Sequence, residues 1–274
     1  MKPLNPLEIL QQKALDIRRD VLLSLSEAGS GHTGGSLGMA DVFAILYFHQ
    51  LKYKPTEPLW EGRDRLVLSI GHIAPVLYAT LAHAGFFPKE ELCTLRKLGS
   101  RLQGHPGRDH GLPGLELSAG SLGQGLSVGV GMALAARLKN ANHKVVVICG
   151  DGELQEGSIW EAAMSAAHHR LDNLVVVVDR NGLQIDGKTV DVMNPEPLKE
   201  KWEAFGWRVM ETNGNSIPDL MNAFEALWIP AGKPSCLLAR TTMGKGVASI
   251  EGDYRWHGKA PDAQELVSFL NQLQ

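Results

Sequence analysis

Cysteine is scarce in this sequence, and its few positions form no pattern. The three cysteines, Cys93, Cys149 and Cys236, lie in apolar surroundings, and no two of them form a C-x-x-C pair. This spacing argues against a disulfide framework and a structural zinc site, and it favours a reducing compartment. The sequence also lacks an apolar run of the ~18 residues that a membrane helix needs, and it lacks the apolar core of a signal peptide. We therefore expect a cytoplasmic protein with no membrane partner.

An excess of charge of either sign is missing as well. The chain has 27 Lys and Arg against 30 Asp and Glu, with a pI near 6.4. Nucleic acids attract strongly basic surfaces, so we expect no nucleic acid partner. The hydrophobic share of 44% and the charged share of 21% are typical of a globular protein, and 274 residues can bury a substantial core.

Glycine, by contrast, is abundant. The 30 glycines are about 11% of the chain, compared with the usual ~7%. They concentrate in residues 29–38, 99–131, 150–157 and 182–187, where close backbone approach or a positive φ is expected. Residues 99–120 hold six glycines and two X-Pro bonds and show no helical or strand period. An irregular segment of this length is usually functional or disordered, and its two histidines favour a functional one.

Hydrophobic periodicity predicts strands that alternate with helices. The predicted strands are residues 66–69, 145–149, 174–178, 207–212 and 235–241. The predicted helices are residues 7–28, 40–51, 74–85, 89–98, 121–139, 197–205, 217–228 and 262–272, with a further helix opening at residue 158. All-apolar strands indicate burial on both faces, and strand-helix-strand units are parallel. The fold class is therefore α/β, a doubly wound, mostly parallel sheet with helices on both faces, in one domain over residues 1–274.

Two polar groups follow neighbouring strands of this sheet. Asp151 stands between two glycines after the first of these strands, and Asn181 with Gly182 follows the second. Asp-Gly and Asn-Gly can be ordinary turn dipeptides. Each of these, however, leaves a buried parallel strand, and ligands of such sheets bind beyond the carboxyl ends of the strands. The pattern therefore favours a ligand site over a plain turn.

The residue types at this edge suit a metal-bridged diphosphate. A carboxylate, an amide oxygen and a backbone carbonyl form an incomplete, oxygen-only set, which Mg²⁺ commonly completes with phosphate and water. A helix opened by an S-x-x-E capping box at Ser158 and Glu161 adds a dipole of favourable sign if it points at the site. A nicotinamide-dinucleotide site fits less well, because its G-x-G-x-x-G signature needs glycine where Gln155 stands.

An ordered set of short motifs resembles the N-terminal half of transketolase. Gly150-Asp151-Gly152, followed about thirty residues later by Asn181, is similar to the thiamine diphosphate motif. The other matching motifs are GSGHTGG at 29–35, GH at 71–72, GHPG at 104–107, SLGQGL at 121–126 and WHG at 256–258. The resemblance runs from about residue 7 to the end, and it implies a diphosphate-binding domain without the pyrimidine-binding and C-terminal domains.

The resemblance also implies roles for individual residues. Asp151, Asn181 and the carbonyl of Leu183 resemble the ligands of Mg²⁺, or of another divalent cation such as Ca²⁺ or Mn²⁺. The positions that resemble contacts of thiamine diphosphate are His72, Gly152 and His257 at its diphosphate and Gly120, Ser121 and Leu122 at its rings. His32, His105 and His257 resemble the catalytic histidines that face sugar hydroxyls and shuttle protons, which is chemistry that imidazole performs near neutrality.

Several positions remain open. Glu156 resembles an interface carboxylate that links paired sites, but it is equally well explained as an acid at a helix N-terminus. Thr33, Ser121 and the segment 73–75 depart from the family pattern. These departures leave the cofactor assignment intact and put the sugar pocket in doubt.

The absent pyrimidine-binding domain implies a partner. In the family it supplies the glutamate that protonates the aminopyrimidine and most of the arginines that bind substrate phosphate. We therefore expect a C-terminal-half transketolase subunit, which assembles with this chain into an α2β2 heterotetramer. The complex would transfer a two-carbon ketol unit from a ketose phosphate to an aldose phosphate. The alternatives are a subunit of another thiamine diphosphate enzyme, of deoxyxylulose-phosphate synthase or 2-oxoacid type, or a non-catalytic cofactor-binding module.

Overall fold

Five parallel strands form the central sheet of this computed structural model, which describes residues 6–273. In chain order the strands are β1 (Arg65–Leu68), β2 (Val145–Gly150), β3 (Leu174–Arg180), β4 (Leu183–Gln184), β5 (Gly187–Lys188), β6 (Arg208–Asn213) and β7 (Ser235–Arg240). The sheet order is β1-β2-β3-β7-β6, and β4 and β5 form a separate antiparallel pair. The α/β prediction is confirmed. Residues 1–5 and 274 of the predicted domain lie outside the described residues.

Helices cover both faces of the sheet. They are α1 (Pro6–Ala28), α2 (Thr33–Gly38), α3 (Ala40–Ile45), α4 (Ala74–His83), α5 (Gly125–Leu138), α6 (Gly157–His168), α7 (Thr189–Val192), α8 (Leu198–Ala204), α9 (Ile217–Trp228) and α10 (Ala263–Gln272). Alternate residues of β2 and β3 join different cores, so that Val146 packs with α1, α3, α4 and α9 while Val147 packs with α5, α6 and α8. This alternation explains why the strand sequences are apolar throughout. None of the described helices is long and apolar enough to span a bilayer.

The register of the two central strands positions the site. Gly150 at the end of β2 pairs with Asp179 near the end of β3. The chain therefore leaves both strands at the same edge of the sheet, with Asp151 and Asn181 at adjacent strand ends. This is the arrangement that the two apolar runs predict.

Several predicted elements are wrong in detail. The helix predicted over 89–98 is a short 3₁₀ segment, Lys89–Thr94, and the helix predicted over 121–139 begins only at Gly125. The helix predicted over 40–51 ends its α-helical part at Ile45 and continues as a π-helical turn, Leu46–Gln50.

The capping box predicted at Ser158 is also wrong. Helix α6 begins at Gly157, its N-cap is Glu156, and no side chain caps it. The Ser158 hydroxyl instead donates a hydrogen bond to the Gly123 carbonyl at 2.9 Å, a contact between distant segments that local spacing cannot reveal. The apolar side chain of Met164 predicts a buried position on this helix, but Met164 is 59% exposed while Ala162 is buried.

Candidate functional site

A cavity of about 280 Å³ lies at the carboxyl ends of β2 and β3. The structure gathers seven of the sequence-predicted site residues in its lining: His72, Leu122, Asp151, Gly152, Asn181, Leu183 and His257. Gly120, Ser121, His32 and His105 are not among the lining residues. His32 and His105 lie beside the cavity through their contacts with the lining histidines, as described below.

Asp151 is held by the backbone around it. The residue is only 3% exposed, and it directly follows the last residue of β2. Oδ1 accepts a hydrogen bond from the Gly152 N–H at 2.8 Å, and Oδ2 accepts one from the Gly182 N–H at 2.7 Å. Each oxygen can accept a further contact, since a carboxylate has about four acceptor positions. The carboxylate is therefore fixed in place with acceptor capacity left over.

Asn181 is oriented by Asp179, a residue that sequence reasoning did not single out. The Asn181 Nδ2 donates to Asp179 Oδ2 at 3.0 Å, while Asn181 Oδ1 accepts from the Leu183 N–H at 2.9 Å. The Thr241 hydroxyl donates to the other oxygen of Asp179. This arrangement fixes which end of the amide is the oxygen. The available sequence signal was the position of Asp179 directly after the apolar run of residues 174–178.

The strand ends carry two buried carboxylates, Asp151 and Asp179, and both have raised pKa values. Burial, together with the neighbouring charge of Asp179, raises the pKa of Asp151 to about 7. Burial likewise raises the pKa of Asp179 to about 6. Among residues 6–273 neither carboxylate is in an ion pair, and the nearby Arg180 is paired with Glu196 and Glu211. An oxygen-only donor set with surplus negative charge fits a divalent cation.

Four histidines from four separate segments meet beside this set. The His32 ring centroid lies 5.1 Å from that of His72, 5.5 Å from that of His257 and 6.2 Å from that of His105. The centroids of His72 and His257 are 4.9 Å apart. These are the four histidines whose glycine-bearing surroundings predicted a functional role, and the structure brings all four together.

The cluster is held in the neutral state. Burial, together with the neighbouring histidines, lowers the pKa of His72 to about 3 and that of His32 to about 4. Burial also lowers the pKa values of His105 and His257. Within the described chain no side chain hydrogen-bonds to any of the four rings, and the buried Nδ1 of His32 has no partner. The ring nitrogens are therefore free to donate to or accept from a ligand.

The segment predicted to face the cofactor rings crosses close to this cluster. A Cβ atom at Gly71 would lie 2.9 Å from the Gly120 nitrogen, so only glycine allows the two segments to approach this closely. A Cβ at Gly120 would in turn lie 3.6 Å from the His105 ring. Gly120 thus packs between the His72 segment and His105, and Leu122 continues from it into the cavity lining.

Two further charged residues near the site were missed from the sequence. Arg96 lines a hollow of about 400 Å³ together with His105 and His110, and its charge contributes to the lowered pKa values of His32 and His105. Glu153 is a buried carboxylate at the cavity wall. No local pattern marks either residue, because one lies in an irregular segment and the other in a short 3₁₀ turn.

The remaining predicted positions lie around the edge. Glu156 is exposed and lines the cavity, where it also serves as the N-cap of α6, so that both interpretations of this residue stay open. His83 is not part of this site; its Nε2 lies within hydrogen-bond distance of Asp20 Oδ2, at 2.6 Å, as in a structural histidine.

Comparison with known proteins gives a consistent picture. The family model described as "Transketolase, thiamine diphosphate binding domain" matches residues 10–273. The chain is 43% identical over 266 residues to an apulose-4-phosphate transketolase subunit of Phocaeicola vulgatus, covering 97% of this chain and 94% of that protein. It is 45% identical over 248 residues to a 6-deoxy-6-sulfo-D-fructose transketolase subunit of a Clostridium species, covering 90% of each.

Single-chain relatives are much longer than this chain. The crystal structure of transketolase from Campylobacter jejuni superimposes with a TM-score of 0.92 at 35% identity, covering 98% of this chain and 43% of that one. Human transketolase is 38% identical over 261 residues, which are 92% of this chain and 40% of that protein. The chain thus spans about two fifths of the length of these single-chain relatives.

Proposed function

The chain belongs to the transketolase family, whose thiamine diphosphate-binding domain it matches over nearly its whole length, and we propose that it is the diphosphate-binding subunit of a two-subunit transketolase. With its partner it transfers a two-carbon ketol unit from a ketose phosphate to an aldose phosphate. One observation carries the proposal: oxygen donors at two strand ends line one 280 Å³ cavity together with His72 and His257, and the neutral rings of His32 and His105 lie beside these two histidines.

The strand ends hold the metal and the diphosphate. Asp151, the Asn181 side-chain oxygen and the Leu183 carbonyl bind Mg²⁺, or Ca²⁺ or Mn²⁺ in its place. The proposal is supported by the two buried carboxylates with raised pKa values, which a divalent cation would neutralise. Gly152, His72 and His257 contact the diphosphate, since glycine lets phosphate approach the backbone and neutral imidazole can donate one hydrogen bond.

Thiamine diphosphate, when bound, supplies the carbanion chemistry of ketol transfer. The chain's own residues orient the groups that react. Gly120, Ser121 and Leu122 line the rings of the cofactor. His32, His105 and His257 hydrogen-bond the hydroxyl and carbonyl oxygens of the sugar and move protons at those oxygens, for which unprotonated rings with free nitrogens are suited.

An uncharged helix face beside the cavity supports the need for a partner. Helix α5 carries no Asp, Glu, Lys or Arg from Gly125 to Ala136, although Gly131 and Ala135 are exposed on it. Leu138, near its end, is 85% exposed, and Met164 on the adjacent α6 is 59% exposed. A helix that is apolar all round is normally buried, so this face is suited to a covering surface.

We assign that face to the C-terminal-half, pyrimidine-binding subunit, in an α2β2 heterotetramer. The face is continuous with the cavity, because α5 starts just after Leu122 and α6 just after Glu156, and both of these residues line the cavity. The single-chain relatives carry well over half of their length beyond the part that this chain matches. The two relatives of similar length from Phocaeicola vulgatus and the Clostridium species are named as subunits, which supports a separate partner here.

The cytoplasm is the proposed compartment, consistent with three free cysteines.

The direct test is a ketol-transfer assay with thiamine diphosphate and Mg²⁺. The chain alone, a C-terminal-half transketolase subunit from the same source alone, and the mixture are compared on ketose phosphate donors and aldose phosphate acceptors. We expect transfer only in the mixture. Robust activity of this chain alone contradicts the two-subunit proposal, and decarboxylation of 2-oxoacids without ketol transfer favours another thiamine diphosphate enzyme.

A further inference from the structure

Glu153 is a buried carboxylate without a cationic partner. The residue is 2% exposed, and it takes part in none of the ion pairs of the described residues. Its oxygens instead accept hydrogen bonds. Oε1 accepts from the Ser69 hydroxyl and from the Gly123 N–H at 2.8 Å, and Oε2 accepts from the Gly150 N–H at 3.1 Å. The Cys149 thiol is a further and weaker hydrogen-bond partner of this carboxylate. A buried carboxylate is costly unless donors satisfy it in this way.

The other three donors belong to different parts of the fold. Ser69 directly follows β1, Gly150 is the last residue of β2, and Gly123 lies in the turn that leads into α5. Gly150 adjoins Asp151, and Gly123 adjoins Leu122, and both of these neighbours line the cavity. One side chain therefore ties the loop that carries Asp151 to the turn that carries Leu122.

The turn itself fits its surroundings tightly. Gly123 has φ of +83°, and a Cβ atom there would lie 2.7 Å from both the Glu156 Cβ and the Ser158 Oγ. The Ser158 hydroxyl donates to the Gly123 carbonyl at 2.9 Å, and Ser69 Oγ accepts from the Gly125 N–H at 3.0 Å. With these bonds and the one that the Gly123 N–H donates to Glu153, the turn has little freedom to shift relative to the strand ends.

We propose that Glu153 is a positioning residue, which sets the distance between the diphosphate-binding loop at Asp151 and the ring-facing turn at Leu122. This role rests on the proposed function, because it concerns how one cofactor reaches both segments. Glu153 does not itself touch the cofactor in this scheme. It acts through the backbone of Gly123 and Gly150, and a ligand that spans both segments depends on it more than a ligand that reaches only one.

A carboxylate is the group that these contacts require. Both of its oxygens accept, so that three donors from two sides are satisfied at once. In Glu153→Gln the amide has only one accepting oxygen, and its NH₂ group then faces a donor, which is the Gly150 N–H or the Ser69 and Gly123 pair. The side chain keeps its size but can no longer hold both segments.

The test compares a long ligand with a short one. Binding of thiamine diphosphate and of inorganic pyrophosphate, each with Mg²⁺, is measured by calorimetry on the full chain assembled with its partner subunit. We expect Glu153→Gln to weaken thiamine diphosphate by about 10–100-fold, as loss of an outer supporting contact commonly does. Pyrophosphate, which reaches only the Asp151 loop, is expected to weaken much less. Ser69→Ala, which keeps the carboxylate, is expected to change the ratio of the two affinities in the same direction and by less.

Glu116→Gln is the matched control. Glu116 is a partly buried glutamate outside the cavity, paired with Arg63 at 2.8 Å, and its loss is expected to leave the ratio of the two affinities unchanged. If Glu153→Gln and Ser69→Ala weaken both ligands alike, or neither, the positioning role is overturned while the proposed function stands. If the parent complex shows no Mg²⁺-dependent affinity for thiamine diphosphate, the proposed function fails, and the positioning role fails with it.

Discussion

Gly150 of β2 and Asp179 of β3 are partners in the parallel register, and this single pairing brings Asp151 and Asn181 to one edge of the sheet. The bond from the Asp151 N–H to the Asp179 carbonyl, at 3.1 Å, continues the same alignment by one residue. Asp179 then orients the Asn181 amide through its side chain. The donor set is thus produced by strand pairing, which explains why residues about thirty positions apart in sequence can act together.

Replacing Asp151 tests this donor set. We expect Asp151→Asn to weaken Mg²⁺-dependent binding of thiamine diphosphate by about 100-fold or more, because the change removes the charged ligand. The asparagine NH₂ group also opposes one of the two backbone N–H donors, from Gly152 or Gly182. Affinity is measured by calorimetry over a series of Mg²⁺ concentrations on the assembled complex. Asp191→Asn, at an exposed position, is the control, and unchanged affinity in Asp151→Asn contradicts the metal assignment.

Arg96 leads to a prediction about substrate charge. It contributes the positive charge beside His105 in the hollow next to the cluster. We expect Arg96→Gln to raise KM for a phosphorylated aldose by about tenfold, the loss of roughly 1.4 kcal/mol, with a smaller effect on an unphosphorylated aldose. Steady-state kinetics with both acceptors measure the difference. Arg101→Gln, which removes a nearby cation that is paired with Glu91, is the control. Equal KM changes for both acceptors argue against a role in binding the phosphate.

The sequence is sufficient for much of the sheet and for the residues at its edge. Residues 145–149 and 174–178 lie inside β2 and β3, and α9 has the predicted bounds with Ser216 as its N-cap. These successes share a cause, because burial on both faces and local capping leave direct marks in the sequence. The parallel sheet confirms the fold class, and the matching family model and relatives confirm the family. The roles of the individual site residues stay predictions.

The failures occur where distant contacts override local preference. Helix α2 was missed because three of its six residues are glycine. All six are nevertheless buried, and Gly34 and Gly35 lie against Met243 and Ile73 respectively. The Ser158 hydroxyl is predicted to form a capping box, but it donates its hydrogen bond to the Gly123 carbonyl. Glu153 and Arg96 were missed for a similar reason. Only the fold brings Glu153 next to Ser69 and Gly123, and Arg96 next to His105.

The lowered pKa of His32 predicts how stability depends on pH. Its pKa is about 4 in the folded chain, against 6.5 for the unperturbed side chain, so that below pH 6.5 the unfolded state binds the extra proton. This contribution to stability is present above pH 6.5 and is lost as the pH falls towards 4. Asp151 and Asp179, whose pKa values are raised, act in the opposite direction, so a comparison of variants is needed.

The comparison uses His32→Gln and the parent chain. Chemical denaturation at several pH values between 4.5 and 7.5, a range of about three units around the relevant pKa values, gives the free energy of unfolding of each. We expect the parent to lose stability relative to His32→Gln as the pH falls, by less than about 1.4 kcal/mol per pH unit because the ring is partly solvated. His110→Gln, at an exposed position, is expected to track the parent. Parallel curves for the parent and His32→Gln contradict the assignment of a neutral, desolvated ring.

The uncharged face of α5 predicts where assembly is sensitive to charge. Gly131 is exposed, and a Cβ atom there would meet nothing within 4 Å, so Gly131→Glu is expected to fold normally. Replacing glycine inside a helix even favours the helix. In the complex the same carboxylate would be buried without a partner, which costs several kcal/mol and is expected to weaken assembly by at least about 100-fold. Analytical ultracentrifugation of the mixed subunits measures the association.

Val267→Glu, at an apolar position of α10 that is 61% exposed, is the control. If both variants assemble like the parent, the partner binds elsewhere, and if both fail alike, the effect is one of added charge and not of the α5 face.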